Sequence, residues 1–220
     1  MIIAWDIETC PLPEDSYSPR QQRRRDLRLQ SEIRKAGLKL NDPDYVDQVA
    51  KINRRVRATH SHLGWICFMS FKRGERQPRS YTASSPSEER SMLLQLWKDL
   101  LMVDHARWVT FNGKLFDVPF LRARSLHHGV AIPNARMCDM MGTHKFRHDE
   151  HFDLQHFWYG YGLDDVCDLL SITSPKSGAV TAETVHQAVK EGRIAEVAAY
   201  CEADVIATME VFNRTFQLAT

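Results

Sequence analysis

Met1-Ile2-Ile3-Ala4-Trp5-Asp6-Ile7-Glu8-Thr9 is the stretch on which the reading of this chain turns. Met1 to Trp5 is apolar throughout, as in a strand buried on both faces. Asp6 and Glu8 follow at once. Side chains two apart on a strand share a face, so a strand continuing through this point brings both acids to the mouth of a buried sheet. Two like charges there are costly unless a cation or a proton sits between them. The triplet alone is weak, since an acid-x-Glu pattern arises by chance roughly once in a chain this long. Its weight comes from residues far downstream.

Working outward, Cys10-Pro11-Leu12-Pro13 cannot continue a central strand, because two prolines remove ladder donors. A polar, Arg-rich stretch follows from about Ser18 to Thr59, with Asn41-Asp42-Pro43-Asp44 in its middle. It reads as two helices broken by a turn. Leu27, Ile33 and Leu38 are too few for a core of their own, so residues 18–59 are expected to form a basic helical insertion after the first strand. The 220 residues suit one domain, 1–220. The chain balances 29 basic against 28 acidic residues, yet Pro19 to Ala58 holds 12 Lys and Arg against 5 Asp and Glu. The rest is therefore net acidic. A basic segment on an acidic body suits a protein that grips phosphates while gathering acids for metal; a solvated helical surface accounts for the charge equally well. On the first reading, Arg23, Arg24 and Arg25 track a nucleic-acid backbone.

Five dispersed cysteines (Cys10, Cys67, Cys138, Cys167 and Cys201), with no CxxC pair and no signal peptide, suit a reduced, cytoplasmic setting. No apolar run approaches the roughly 20 residues needed to span a bilayer, so a soluble protein without membrane partners is expected.

Trp65 to Phe71 is rich in strand formers, with Arg79 to Ala83 as an antiparallel partner across Arg73-Gly74-Glu75. Ser85-Pro86-Ser87-Glu88 has the pattern of a capping box opening a helix whose Leu93, Leu96, Trp97 and Leu100 share a face. Trp108 to Phe111 is a short strand running into Asn112-Gly113 and a helix to His127. Arg136 to Met140 is a further candidate strand. His144 to His156 reads as irregular, Leu163 to Leu170 and Thr181 to Glu191 as helices. The last helix, about Ile194 to Phe216, has Val197, Cys201, Val205, Met209 and Phe212 on its core stripe. Strands first, then alternation, then helices fit an α/β domain.

Three downstream acids need weighing with Asp6 and Glu8. Asp117, in Asn112-Gly113-Lys114-Leu115-Phe116-Asp117-Val118-Pro119, follows a strand and starts a helix; alone it reads first as a helix cap. Asp204 lies four residues after Tyr200, about 40° away on the helix surface, beside the apolar stripe. A half-buried Asp needs a partner, either an arginine or a metal. Asp139 stays outside the site. His144, His148, His151 and His156 lie close together but no cysteine completes a zinc pattern, so a solvated loop near the site's mouth is the better reading.

Asp-Ile-Glu-Thr on the first strand, Asn-x-x-x-Phe-Asp-x-Pro after a middle strand and Tyr-x-x-x-Asp in the last helix together resemble the three exonuclease motifs of the DEDD superfamily, tyrosine subclass. The second motif is most similar to that of the proofreading exonuclease domain of family B DNA polymerases and of related stand-alone predicted exonucleases. The resemblance covers the chain from Met1 to about Thr215, apart from the basic insertion. It implies a ribonuclease H-like mixed sheet flanked by helices and removal of nucleotides from a 3′ end with two divalent cations. On that resemblance Asp6, Glu8, Asp117 and Asp204 bind metal, Tyr200 orients the attacking water, and Ile7, Thr9, Asn112 and Phe116 touch the terminal nucleotide. Four carboxylates offer only hard oxygen ligands, which suits Mg²⁺ or Mn²⁺ better than zinc. The expected partner is nucleic acid with a free 3′ end, foremost single-stranded DNA, with a polymerase or repair protein as a further possible partner. The same chemistry on RNA, and a silent nucleic-acid-binding module of the same fold, stand as alternatives.

Overall fold

A computed structural model describes residues 1–101, 106–133, 150–175 and 178–217. The opening apolar run becomes β1 (Ile2–Pro11), the centre of a mixed sheet. β2 (Gly64–Arg73) pairs with it antiparallel, and β3 (Arg79–Thr82) extends β2 through the expected hairpin. On its other side β1 pairs in parallel with β4 (Arg107–Thr110), and β4 with β5 (His151–Asp153). The order is β3-β2-β1-β4-β5. This is the ribonuclease H-like arrangement that the motifs imply.

The alternation along β1 assigns the two layers. Ile3, Trp5 and Ile7 share a core with Leu93, Leu96 and Trp97 of α3 (Glu89–Leu100) and Leu121 of α4 (Asp117–His127). Trp5 stacks on its cross-strand partner Phe71, centroids 6.0 Å apart. Ala4 joins a second core with Val109 and Phe152, and with Val205, Met209 and Phe212 of the final helix. A period of two places Asp6 and Glu8 on that second face, opposite the final helix.

The basic stretch forms α1 (Pro19–Lys35) and α2 (Tyr45–Ala58). Ser18 and Gln21 close a reciprocal cap on α1: the Gln21 amide donates to Ser18 Oγ at 3.3 Å and the Ser18 amide to Gln21 Oε1 at 2.9 Å. These helices borrow a core from their neighbours. Ile52 and Val56 bury with Tyr17 and Leu63, and Leu29, Ile33 and Leu38 rest against that cluster.

Three local expectations change. Ser85 does not cap α3; its hydroxyl meets Ser87 Oγ at 2.8 Å, while the Ser84 amide donates to the Glu88 carboxylate at 2.8 Å and the helix begins one residue later. The helix expected from Thr181 is α7 (Val185–Lys190), because the Thr184 hydroxyl folds back to the Thr181 amide at 2.8 Å and makes a turn of the first residues. The His-rich stretch is not irregular where it is described. It supplies β5 and then the short α5 (Leu154–Phe157), followed by α6 (Leu163–Leu170). His151 is buried in β5 because Thr110 Oγ1 lies 2.7 Å from its Nε2. His144, His148, Asp139 and the candidate strand Arg136–Met140 lie outside the described residues. α8 (Ile194–Gln217) completes the chain. Among the described residues no helix is long and apolar enough to cross a membrane.

Candidate active site

β1 delivers its two acids where the ladder to β2 breaks step. Glu8 faces Phe68 but Thr9 faces Ile66, so Cys67 is an extra residue on β2. Such a bulge re-aims neighbouring side chains. The Cys67 thiol donates to the Glu8 carbonyl at 3.3 Å, fixing the irregularity.

Asp117 reaches the same place from the other side of the sheet. Pairing of β1 with β4 ends at Ala4 and Val109, which leaves the Ile7 amide without a ladder partner there. Asp117 Oδ1 accepts it at 3.1 Å. Ile7 stands between Asp6 and Glu8, so this bond ties the start of α4 to the middle of the acid pair. The carboxylate thus serves β1, beyond the helix-cap role its position suggests.

α8 supplies the third contribution. Tyr200 and Asp204, four residues apart, share a helical face, and the Asp204 charge acts on the phenol. Cys201, completely buried, lies with its sulfur 3.7 Å from both the carbonyl oxygen and Oδ2 of Asp6. Ligand atoms of Asp6, Glu8 and Cys201 all fall within 4.8 Å of one another. Glu202, on another side of α8, accepts from Ser80 Oγ at 2.6 Å, and Ser80 meets Ser70, the residue opposite Asp6 on β2. That chain of contacts fixes the rotation of α8 against the sheet.

The electrostatics follow from the crowding. At about 5 Å, two carboxylate charges repel by on the order of 3 kcal/mol at an effective dielectric of about 20. That exceeds the 1.4 kcal/mol of one pKa unit. Burial, then Asp117, Glu8 and Asp204, push the Asp6 carboxyl well above the usual carboxylate range. Burial, then Asp204 and Asp117, do the same to Glu8. Burial also raises Asp117, to about 7, against the opposing pull of the Ile7 amide. The Tyr200 phenol is pushed up by burial and then by Asp204, Glu8 and Asp6. It can donate a hydrogen bond but is a poor base. Burial and the same four carboxylates hold the Cys201 thiol protonated, so the donors available to an ion are oxygens. A divalent cation preferring oxygen ligands fits this set, because it removes the repulsion that protons otherwise relieve.

The residues expected to touch a nucleotide divide. Thr9, Asn112 and Phe116 are half-buried. Ile7 turns its side chain into the core and offers the site only its backbone. Asn112 adopts φ 70°, a left-handed conformation that Asn tolerates. Gly113 follows because a Cβ there would fall 2.5 Å from the Thr110 side chain. Asp153, at the end of β5, clamps the turn: its carboxylate accepts from the Asn112 amide at 2.7 Å and the Lys114 amide at 2.9 Å. Neither Asp153 nor Cys201 emerged from the sequence as part of the site. Cys201 had a signal, lying three residues from Asp204 and so about 60° away on the same helix face; Asp153 had none.

Residues 57–220 match the family model described as a predicted 3′-5′ exonuclease related to the exonuclease domain of PolB. Asp117, Tyr200 and Asp204 fall within that match, while Asp6 and Glu8 precede it and join them only through the sheet. No curated protein matches the chain. Among solved structures it is similar to the family B DNA polymerase from the hyperthermophilic archaeon Pyrobaculum calidifontis, with a TM-score of 0.63 and 15% identity over 98% of this chain. The likeness covers 24% of the polymerase chain, and at that identity it concerns the fold. With three quarters of its length under the family model, the chain belongs to the predicted 3′-5′ exonucleases related to the exonuclease domain of PolB.

Proposed function

We propose that the protein is a metal-dependent 3′–5′ exonuclease that removes nucleotides from single-stranded DNA ends, with residues 1–220 acting as one exonuclease domain. The observation that carries this reading is the convergence of Asp6, Glu8, Asp117 and Asp204, from three separate elements, on one place where burial and neighbouring carboxylates raise the proton affinity of Asp6, Glu8 and Asp117. Asp6, Glu8, Asp117 and Asp204 would hold two Mg²⁺ or Mn²⁺ ions, which would supply a hydroxide near neutral pH and neutralise charge on the leaving 3′ oxygen.

The chain's own groups do the rest. Tyr200, one helical turn from Asp204 and kept protonated by burial and its carboxylate neighbours, orients the attacking water and accepts no proton from it. Asp117, pinned to the Ile7 amide, keeps the ligand geometry fixed as charge shifts. The Phe116 ring, 5.6 Å from Phe120, offers a face on which a terminal base stacks without being identified. Thr9 and Asn112 meet the sugar and phosphate of that nucleotide. DNA is the favoured polymer because the family is related to the exonuclease domain of a DNA polymerase.

The test is to incubate purified protein with 5′-labelled DNA and RNA oligonucleotides in Mg²⁺, Mn²⁺ or chelator. A metal-dependent ladder shortening from the 3′ end, faster on DNA, is expected. A faster RNA ladder reassigns the substrate. No ladder on either polymer with either ion overturns the proposal and leaves a silent binding module.

A further inference from the structure

We infer that the groove between α2 and α7, at the far end of β1, holds the stretch of single-stranded DNA just upstream of the nucleotide being removed. This rests on the proposed exonuclease reading.

The groove, of ≈ 550 Å³, begins at Cys10 and Pro11, directly beyond Glu8 on β1. At about 3.3 Å per residue, Cys10 lies roughly 7 Å along the strand from Glu8. Leu12, Pro86 and Val189 give it apolar walls, and every ionisable side chain lining it other than Cys10 is basic or a histidine: Arg54, Arg57, His186 and Lys190. No described acid lines it, although Asp6 and Glu8 lie next door on the same strand. That combination, cations along apolar walls, is how sequence-tolerant single-strand sites are built: charge tracks the phosphates while flat or aliphatic surfaces receive sugars and bases.

The four basic groups are not equivalent. Arg57 is committed to the fold, donating to Tyr17 Oη at 3.0 Å and the Leu12 carbonyl at 2.7 Å and pairing with Glu14 at 2.6 Å. Arg54 and Lys190 make no ion pair with a described residue and are the cations left for phosphates. The basic excess on α1 is placed differently. Arg25 is tied to Glu14 at 3.1 Å and to Asp26 at 2.8 Å, and none of Arg23, Arg24 or Arg25 lines the groove. So α2, not the Arg23–Arg25 run, is the part of the insertion that meets the strand. Among the described residues, Arg54, on α2, is the insertion's own unpaired cation in this groove.

The experiment measures binding of a labelled 20-nucleotide single strand in chelator, over a range of salt, for the wild type, R54Q/K190Q and R23Q/R24Q. Thermal melts check that each variant is folded. Each phosphate contact on a single strand contributes about 0.7 to the salt slope. Losing two therefore makes the slope shallower by about 1.4 and weakens binding roughly tenfold near 0.15 M salt. R54Q/K190Q should show this and R23Q/R24Q should not. Unchanged affinity and slope in R54Q/K190Q overturn the inference, as does an equal loss in R23Q/R24Q, which would mean diffuse charge and no groove. Tighter binding of RNA than DNA with the same variant losses keeps the groove and reassigns the polymer. Because binding is read without metal, failure of the wild type to cut DNA would sink the exonuclease reading separately.

Discussion

Two carboxylate centres, one fully buried and one partly so, lie a few residues apart in this fold and have opposite electrostatics. At the first, Glu89 of α3 is completely buried and surrounded by donors. The Ile66 amide gives 2.7 Å, Arg124 Nε 3.0 Å to each oxygen, and His128 Nε2 lies 2.7 Å away. Arg124 in turn reaches the Ser61 carbonyl at 3.1 Å, so the cluster ties α3, α4, β2 and the end of the insertion together. At the second, Asp6, Glu8, Asp117 and Asp204 meet one another, two thiols, one phenol and a few backbone amides. The first centre brings its own cation. In the second, Asp6, Glu8 and Asp117 make no ion pair with a described residue, and their carboxyls hold protons well above the usual carboxylate range. A carboxylate that only supports a fold is paired within the chain; one that works on a ligand is left short of positive charge.

Substitutions can break that contrast. The largest effect is expected from Asp204→Asn: degradation of a 5′-labelled strand falls by at least about 10³-fold while the melting temperature is kept, as for removal of a group that stabilises charge only in the transition state. Full activity would take Asp204 out of the site. Arg124→Met should do the reverse. It leaves Glu89 buried without its cation, costing about 3–5 kcal/mol, or a fall in Tm of about 10–15 °C by calorimetry, with the surviving folded enzyme still cutting. A smaller step is expected for Tyr200→Phe, roughly 10- to 100-fold slower cleavage with unchanged Mn²⁺ affinity by titration calorimetry. Lost metal affinity would show that the phenol has a different role.

The sharpest form of the comparison is a sign. Asp6→Asn in metal-free protein should stabilise, on the order of 1–2 kcal/mol, because it removes one member of a repelling set. The same logic gives a pH dependence. Asp6, Glu8 and Asp117 have folded pKa values above their ordinary ones, so between those limits the folded state binds more protons than the unfolded one. Stability in chelator is therefore highest at the acid end for these groups and falls as pH rises from about 4 through the value of about 7 reached by Asp117. Mn²⁺ should raise Tm more at pH 8 than at pH 5, since protons compete with it at the lower pH. A larger gain at pH 5 would mean the ion binds elsewhere.

Much of this was legible in the chain, for reasons particular residues show. The apolar run before Asp6 reads as a buried strand, which Ile2 to Trp5 form, and Tyr200 and Asp204 have the spacing of one helix face. Both rest on local periodicity, which short windows contain. The misses were of another kind. β5 is three residues long, too short to show a period, and His151 hides it by being polar. The cap expected at Ser85 failed because three serines and a glutamate in five positions compete for the same amides.

Sequence by itself determined which residue types were present, on which elements and in what order, because strand and helix periods are set by backbone geometry. Only the tertiary structure decided that Asp117 would spend its carboxylate on the Ile7 amide, that Asp153 would hold the Asn112 turn, and that α2 would wall a basic groove beside Glu8. Those contacts join residues tens to more than a hundred positions apart. Their energies come from burial and charge shared between elements, which exist only once the sheet has assembled.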